Sequence, residues 1–133
     1  MAIAPADVTV LETYSETANQ TVYEGVEKTF AADTLYVLMV GSVDLTTSAK
    51  PTGIVTTGIT WVEEESIVSS DTHQTAYRAV PTANTSSTTE VTFDSAQENC
   101  YWNIYKVVNA DTTGVNGANA VVQAESASDI GTS

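Results

Sequence analysis

Apolar and polar positions alternate with period two through nearly the whole chain. The clearest runs are Asp7-Val-Thr-Val-Leu-Glu-Thr-Tyr14, Thr89-Glu-Val-Thr-Phe-Asp94 and Cys100-Tyr-Trp-Asn-Ile-Tyr-Lys-Val-Val108. β-branched and aromatic side chains at this period suit a pleated sheet with one wet and one buried face, and no stretch sustains a helical period. Residues 7–14 predict a first strand, with Val8, Val10, Glu12 and Tyr14 on one side and Thr9, Leu11 and Thr13 on the other. Thr21–Glu24 and Val26–Phe30 read as a second extended stretch that Gly25 breaks by a bulge or tight turn. Thr34–Gly41 is apolar at nearly every position, which predicts a central strand covered on both faces.

A long loop from Ser42 to Thr57 turns at Lys50-Pro-Thr-Gly53 and leaves room for a short edge strand at Ile54-Val55. Alternation resumes over 58–65, with Ile59, Trp61 and Glu63 on one side and Thr60, Val62 and Glu64 on the other. Ile67 and Val68 extend it. Ser69–His73 reads as a turn into a strand over 74–80, which Pro81 ends. A polar connector (82–89) leads to a strand at 90–94, and a second connector (95–99) to the aromatic strand 100–108. A loop rich in residues that tolerate positive φ spans 109–119, and a last apolar stretch covers 120–125. About eight short strands predict an all-β fold, an antiparallel β-sandwich of jelly-roll or immunoglobulin-like type. The expectation is one domain over 1–133, with 1–7 and 126–133 as extended termini.

Composition narrows what such a fold is for. Seventeen acids face three Lys and one Arg, a formal charge of −13, and a polyanion repels nucleic acid and anionic lipid alike. Neither is expected as a partner. The longest apolar run, Leu35–Val40, is far short of the ~20 residues that span a bilayer. Residues 1–7 lack the basic and apolar regions of a secretory signal, which predicts synthesis in a cytoplasm. The single Cys100 excludes an intrachain disulfide, and its apolar neighbours predict a buried, inert thiol. Spread over the surface, the net charges sit about 20 Å apart, beyond a Debye length of about 8 Å at physiological salt. Low ionic strength should therefore weaken stability or assembly.

The materials of catalysis are scarce. His73 lies in a Ser/Asp/Thr segment with no companion ligands for a metal. Ser70, Asp71 and His73 crowd one short loop, where a triad's linear geometry is hard to reach, and no nucleophile-elbow motif is present. Glu63, Glu64 and Glu65 read as a solvated edge strand, with Glu63 and Glu65 on one face, or as an acidic docking patch. Asp111, Asn116 and Asn119 imitate a calcium loop, but Thr113 and Val115 fall where ligands belong, so the segment reads as a structural turn. The sequons at Asn19 and Asn84 carry little weight without a secretory signal. Trp61, Trp102, Tyr101 and Tyr105 read as core and cross-strand packing, with a sugar-binding platform as the alternative if they share an exposed face. No catalytic, cofactor-binding or metal-ligating residue is assigned, and no enzyme is expected.

The runs Leu35–Val40, Gly58-Ile-Thr-Trp61, Thr75–Val80, Val91-Thr-Phe93, Trp102–Val107 and Gly114–Ala120 together resemble small β-sandwich accessory proteins of tailed bacteriophages, the class of capsid decoration (cement) proteins and tail or fibre modules. The resemblance covers about residues 30–125 and its motifs are structural. It implies a virion protein on the exterior of the phage head, made in the host cytoplasm, which binds the major capsid protein in many copies and touches neighbouring copies or forms a homo-oligomer. The alternative it leaves open is a carbohydrate- or receptor-binding module of a tail or fibre.

Overall fold

The computed structural model describes residues 3–120; the apolar stretch 120–125, save Ala120, and the segment 126–133 lie outside them. Ten antiparallel strands follow one another: β1 (Val8–Glu16), β2 (Gln20–Glu24), β3 (Lys28–Phe30), β4 (Leu35–Val43), β5 (Gly53–Thr56), β6 (Val62–Ser69), β7 (Thr72–Ala79), β8 (Thr85–Ser87), β9 (Thr89–Gln97) and β10 (Asn99–Val107). Short 3-10 turns at Pro5–Asp7 and Val115–Gly117 complete the described secondary structure. The large sheet runs β1-β10-β4-β7-β6, and a smaller one runs β2-β9-β5 beside the pair β3-β8.

Two breaks hide a simpler order. β2 and β3 flank Gly25–Glu27 while β8 and β9 flank Thr88, and Gly25 N donates to Thr89 O (3.0 Å) across the gap, so each pair is one interrupted strand. Counted that way the described residues form eight strands, ordered 1-8-3-6-5 in the large sheet and 2-7-4 in the small. Strands 1, 8, 3, 6 over 2, 7, 4 follow the jelly-roll wrap of two Greek keys, not the immunoglobulin order, in which the first two strands share a sheet. The fifth strand, β6, departs from that wrap: it pairs with β7 in the large sheet, and no strand among the described residues takes the place beside β5.

The core lies between the sheets. Tyr36, Leu38, Val40, Tyr77, Cys100, Trp102 and Ile104 point inward from the large sheet against Tyr23, Phe30, Val91 and Phe93 of the small one. Tyr14 stacks on Trp102 at 3.8 Å between ring centroids, and Phe30 meets Tyr36 and Trp61 edge-on. Cys100 is fully buried, and burial pushes its thiol up to about 12.

Several boundaries and faces differ from those read off the sequence. A register shift between Val10 and Glu12 lets Leu11 bulge, so Val8 and Val10 are exposed while Glu12 and Tyr14 turn inward. β4 is central, but its outer face is not covered, because Met39 is 41% exposed. Gly58–Trp61 is a turn, opened by Ile59 N donating to Thr56 O (3.0 Å) with Gly58 at φ +81°, and β6 begins only at Val62. Ile59 and Trp61 still reach the core from that turn. Both expected connectors hold strand: β8 lies inside 82–89, and β9 runs to Gln97, leaving Glu98 alone as the corner to β10.

Candidate functional site

His73 is a strand residue, not a loop residue. The β6–β7 turn is only Ser70-Asp71, with Ser70 at φ +57°, and His73 stands on β7 half-buried. Its Nε2 sits 2.7 Å from Ser66 Oγ, which is 3.3 Å from Thr75 Oγ1. A serine–histidine contact is the start of nucleophilic chemistry, but the imidazole needs a third group on its other nitrogen to fix the tautomer. His73 Nδ1 is buried without a hydrogen-bond partner among the described residues. Ser70 and Asp71, the neighbours in sequence, do not meet His73 in a side-chain hydrogen bond; the Asp71 carbonyl instead accepts from Asp44 N. Burial, then the nearby Lys50 ammonium, lower the His73 pKa, and Glu63 works against both.

The three glutamates separate. A register shift between Glu63 and Glu65 sets them opposite Tyr77 and Ala76, successive residues of β7 whose side chains leave opposite faces, so the two do not share a side. Glu63 pairs with Lys50 (Nζ 3.0 Å from both carboxylate oxygens), each side chain well exposed. Glu64, the bulged residue, pairs with Arg78, and both are largely withdrawn from solvent. Arg78 Nε also donates to Asn116 O at 3.1 Å, which ties the loop after β10 onto β7.

That loop is a self-contained turn. Asp111 Oδ1 accepts from Thr113 N (3.0 Å) and Thr113 Oγ1, Asn119 Nδ2 donates to Thr113 Oγ1 (2.8 Å), and hydrogen bonding to Thr113 holds the Asp111 carboxyl below its ordinary range. Among the described residues no group of three His, Cys, Asp or Glu is placed to hold a metal ion. Asn84 is exposed, but its Oδ1 accepts from Ala32 N (2.8 Å); Asn19 is exposed in the β1–β2 turn.

The four aromatic candidates divide as well. Trp102 is core, and its Nε1 donates to the buried Glu12 carboxylate at 2.7 Å. Trp61 is half-buried, with Nε1 donating to Thr56 Oγ1. It lines, with Pro51–Ile54, Glu63 and Tyr77, a cleft of about 270 Å³ between β5 and β6. Burial and then Glu63 push the Tyr77 hydroxyl up to about 12, against hydrogen bonding to Thr75. Tyr101 and Tyr105 do share a face, the outer one of the large sheet.

No protein-family model, curated protein or solved structure matches this chain.

The most distinctive surface is that outer face. Register aligns three rows across it: Tyr101, Gly41, Gln74 and Ile67; Asn103, Met39, Ala76 and Glu65; Tyr105, Val37, Arg78 and Val62. On β1, Val8, Val10 and Thr13 continue the rows opposite Val107, Tyr105 and Asn103. The charges in this array are Glu65 and the Glu64-paired Arg78, both at the β6–β7 margin. Tyr101 lies flat over Gly41, where a Cβ would overlap its ring, so glycine keeps the middle of the face level. The opposite outer face, on the small sheet, places Glu24 directly across from Glu90 and exposes Asp94. Sequence inspection missed the neutral face because it emerges only when four strand pairings are in register.

Proposed function

We propose that this protein is a decoration (cement) protein of a phage head. The outer face of its large sheet docks on the major capsid protein lattice, and its acidic small sheet turns outward as the exterior of the virion. The observation that supports this reading is the charge asymmetry: a chain of net charge −13 keeps one broad sheet face nearly free of carboxylates. Five strands at about 4.8 Å spacing and nine residues at about 3.4 Å give roughly 700 Å², close to the ~800 Å² that each partner contributes to a standard interface. Exposed Val8 (40%), Val10 (57%) and Met39 (41%) supply apolar contact there. Binding to an assembled lattice stabilises it by linkage, and repetition over many copies turns a modest contact into avidity.

Mass spectrometry of purified particles is the first test, with a copy number in the hundreds expected and a handful of copies, or none, counting against the reading. The second is Met39→Asp, which should abolish shell binding while leaving the melting temperature nearly unchanged. A carbohydrate- or receptor-binding tail module is the other reading, supported by Tyr101 and Tyr105 on one outward face. Loss of glycan binding in Tyr105→Ala, with shell binding absent, would favour it.

A further inference from the structure

Among the described residues the two main sheets end in four edge strands, and a free edge is a template for another chain unless something blunts it. Three are blunted. β1 shifts register at Leu11; β2 shifts between Gln20 and Val22 and then breaks at Gly25; β6 shifts at Glu64 within its run of glutamates. β5 alone pairs in unbroken register, from Gly53 opposite Thr92 to Thr56 opposite Thr89, and it carries no charge. Among the described residues no strand fills the lane beside it, since β6 joined the large sheet.

The backbone at that edge is presented, not merely exposed. Thr92 O accepts from Thr52 N (2.8 Å) on the β5 side, and Thr89 O accepts from Gly25 N on the β2 side. Since carbonyl direction alternates along a strand, Gly53 and Val55 serve the ladder to β9 while the N–H and C=O of Ile54 face the open lane. A Cβ on Gly53 would meet nothing within 4 Å, so the outer face of β5 is open at this point. The cleft of about 270 Å³ runs alongside, with Trp61 and Tyr77 offering aromatic surface and Glu63 a carboxylate. Among the described residues Glu63 is held by Lys50 alone, in an exposed ion pair of the kind worth little net energy, so an incoming cation can replace Lys50 at small cost.

We infer that the vacant lane beside β5 accepts an extended strand of a different protein, added by backbone hydrogen bonds to Ile54, and that this strand is neutral or basic. Self-pairing of β5 would join two molecules of net charge −13. A neutral or lysine-bearing strand meets no such opposition. The inference concerns the edge alone and does not depend on the partner being a phage shell.

Amide hydrogen exchange on the labelled, intact protein tests it. The probe is a blocked heptapeptide of alternating threonine and valine with lysine at both ends; controls carry glutamate ends, or proline in place of the central valine. At millimolar lysine-ended peptide, Ile54 amide exchange should slow about tenfold, with less slowing for the glutamate-ended peptide and none for the proline one. Gly53→Lys, which has room for its side chain and puts a cation beside the lane, should keep the wild-type melting temperature and weaken the protection given by the lysine-ended peptide. The inference is overturned if Ile54 exchange is unchanged, or if protection appears instead on β1 or β6. Protection that rises with protein concentration alone would assign the edge to a second copy, and protection produced by free oligosaccharide would assign the cleft to sugar; either result overturns a peptide-strand occupant. Absence from phage particles would not affect any of these outcomes.

Discussion

Glu12 is a carboxylate only 4% exposed, and it holds the two sheets together at the β1 edge. Its Oε1 accepts from Trp102 Nε1 (2.7 Å) and its Oε2 from Val26 N (3.0 Å), in the break between β2 and β3. Gly25 leaves room for that carboxylate, since a Cβ there would come within 2.6 Å of Oε2 and force it to shift. A buried carboxylate can satisfy two donors, whereas an amide must turn its NH₂ toward one of them. Glu12→Gln should therefore cost about 1–3 kcal/mol, seen as a lower urea midpoint at unchanged slope; an unshifted midpoint would show that neither bond matters. The second residue-scale expectation concerns His73, the chain's only histidine. Burial holds the folded imidazole below the ordinary 6.5, so acid protonates the unfolded chain first. The resulting stability is complete above 6.5 and is lost as pH falls from there toward the lower folded value. A single imidazole resonance followed by NMR should titrate with its midpoint below 6.5, and a midpoint at or above that value rules out the burial effect.

At the scale of elements, the loop after β10 behaves as a clamp on β7. Asn109, Gly114, Asn116 and Gly117 all take positive φ, which folds the chain back so that Asn116 O meets Arg78 and Gly117 packs on Val80. Gly117→Ala combines a left-handed backbone (φ +71°) with a Cβ 2.3 Å from Val80 Cγ2, and should lose about 1–3 kcal/mol and speed amide exchange across 110–120. Gly53→Ala is the contrasting case, with open space and no positive φ, and should be neutral or stabilising by up to about 1 kcal/mol. The same scale explains what the sequence could reveal. Alternation located most of the strands because one face of each lies against the core, while the polar β8 (Thr85–Ser87) escaped it; the Gly25 break and the positive-φ loop were legible from glycine and asparagine. Bulges were not, since an extra residue leaves no mark on a hydrophobic pattern. Leu11 thus concealed that Glu12 is a core residue, and Glu64 concealed that Glu63 and Glu65 part company. His73 looked like a loop residue because its Ser-Asp-Thr neighbours favour turns, yet the hairpin closes within Ser70-Asp71. The β5 edge and the neutral sheet face depend on which strands pair, information that no local stretch contains.

For the whole molecule, the distribution of charge matters more than its sum. Glu24 and Glu90 stand directly opposite each other on the small sheet, an arrangement that destabilises cross-strand pairing, and Asp94 adds to the same outer face. Their repulsion acts at contact range and is strongest in dilute buffer, where the Debye length reaches about 30 Å, against about 8 Å at physiological salt. The large sheet's neutral outer face has no such repulsion to relieve. Added salt should therefore raise the melting temperature chiefly through the small sheet, and Glu90→Lys, which turns the repulsion into an attraction, should stabilise the protein by about 0.2–1 kcal/mol in dilute buffer. The gain should shrink in half-molar salt, because screening has by then removed the wild-type penalty. Paired melts of wild type and variant at the two ionic strengths decide the matter: equal gains at both would mean that Glu90 acts through packing, and a melting temperature of the wild type that ignores salt would mean that its acids are too far apart to interact.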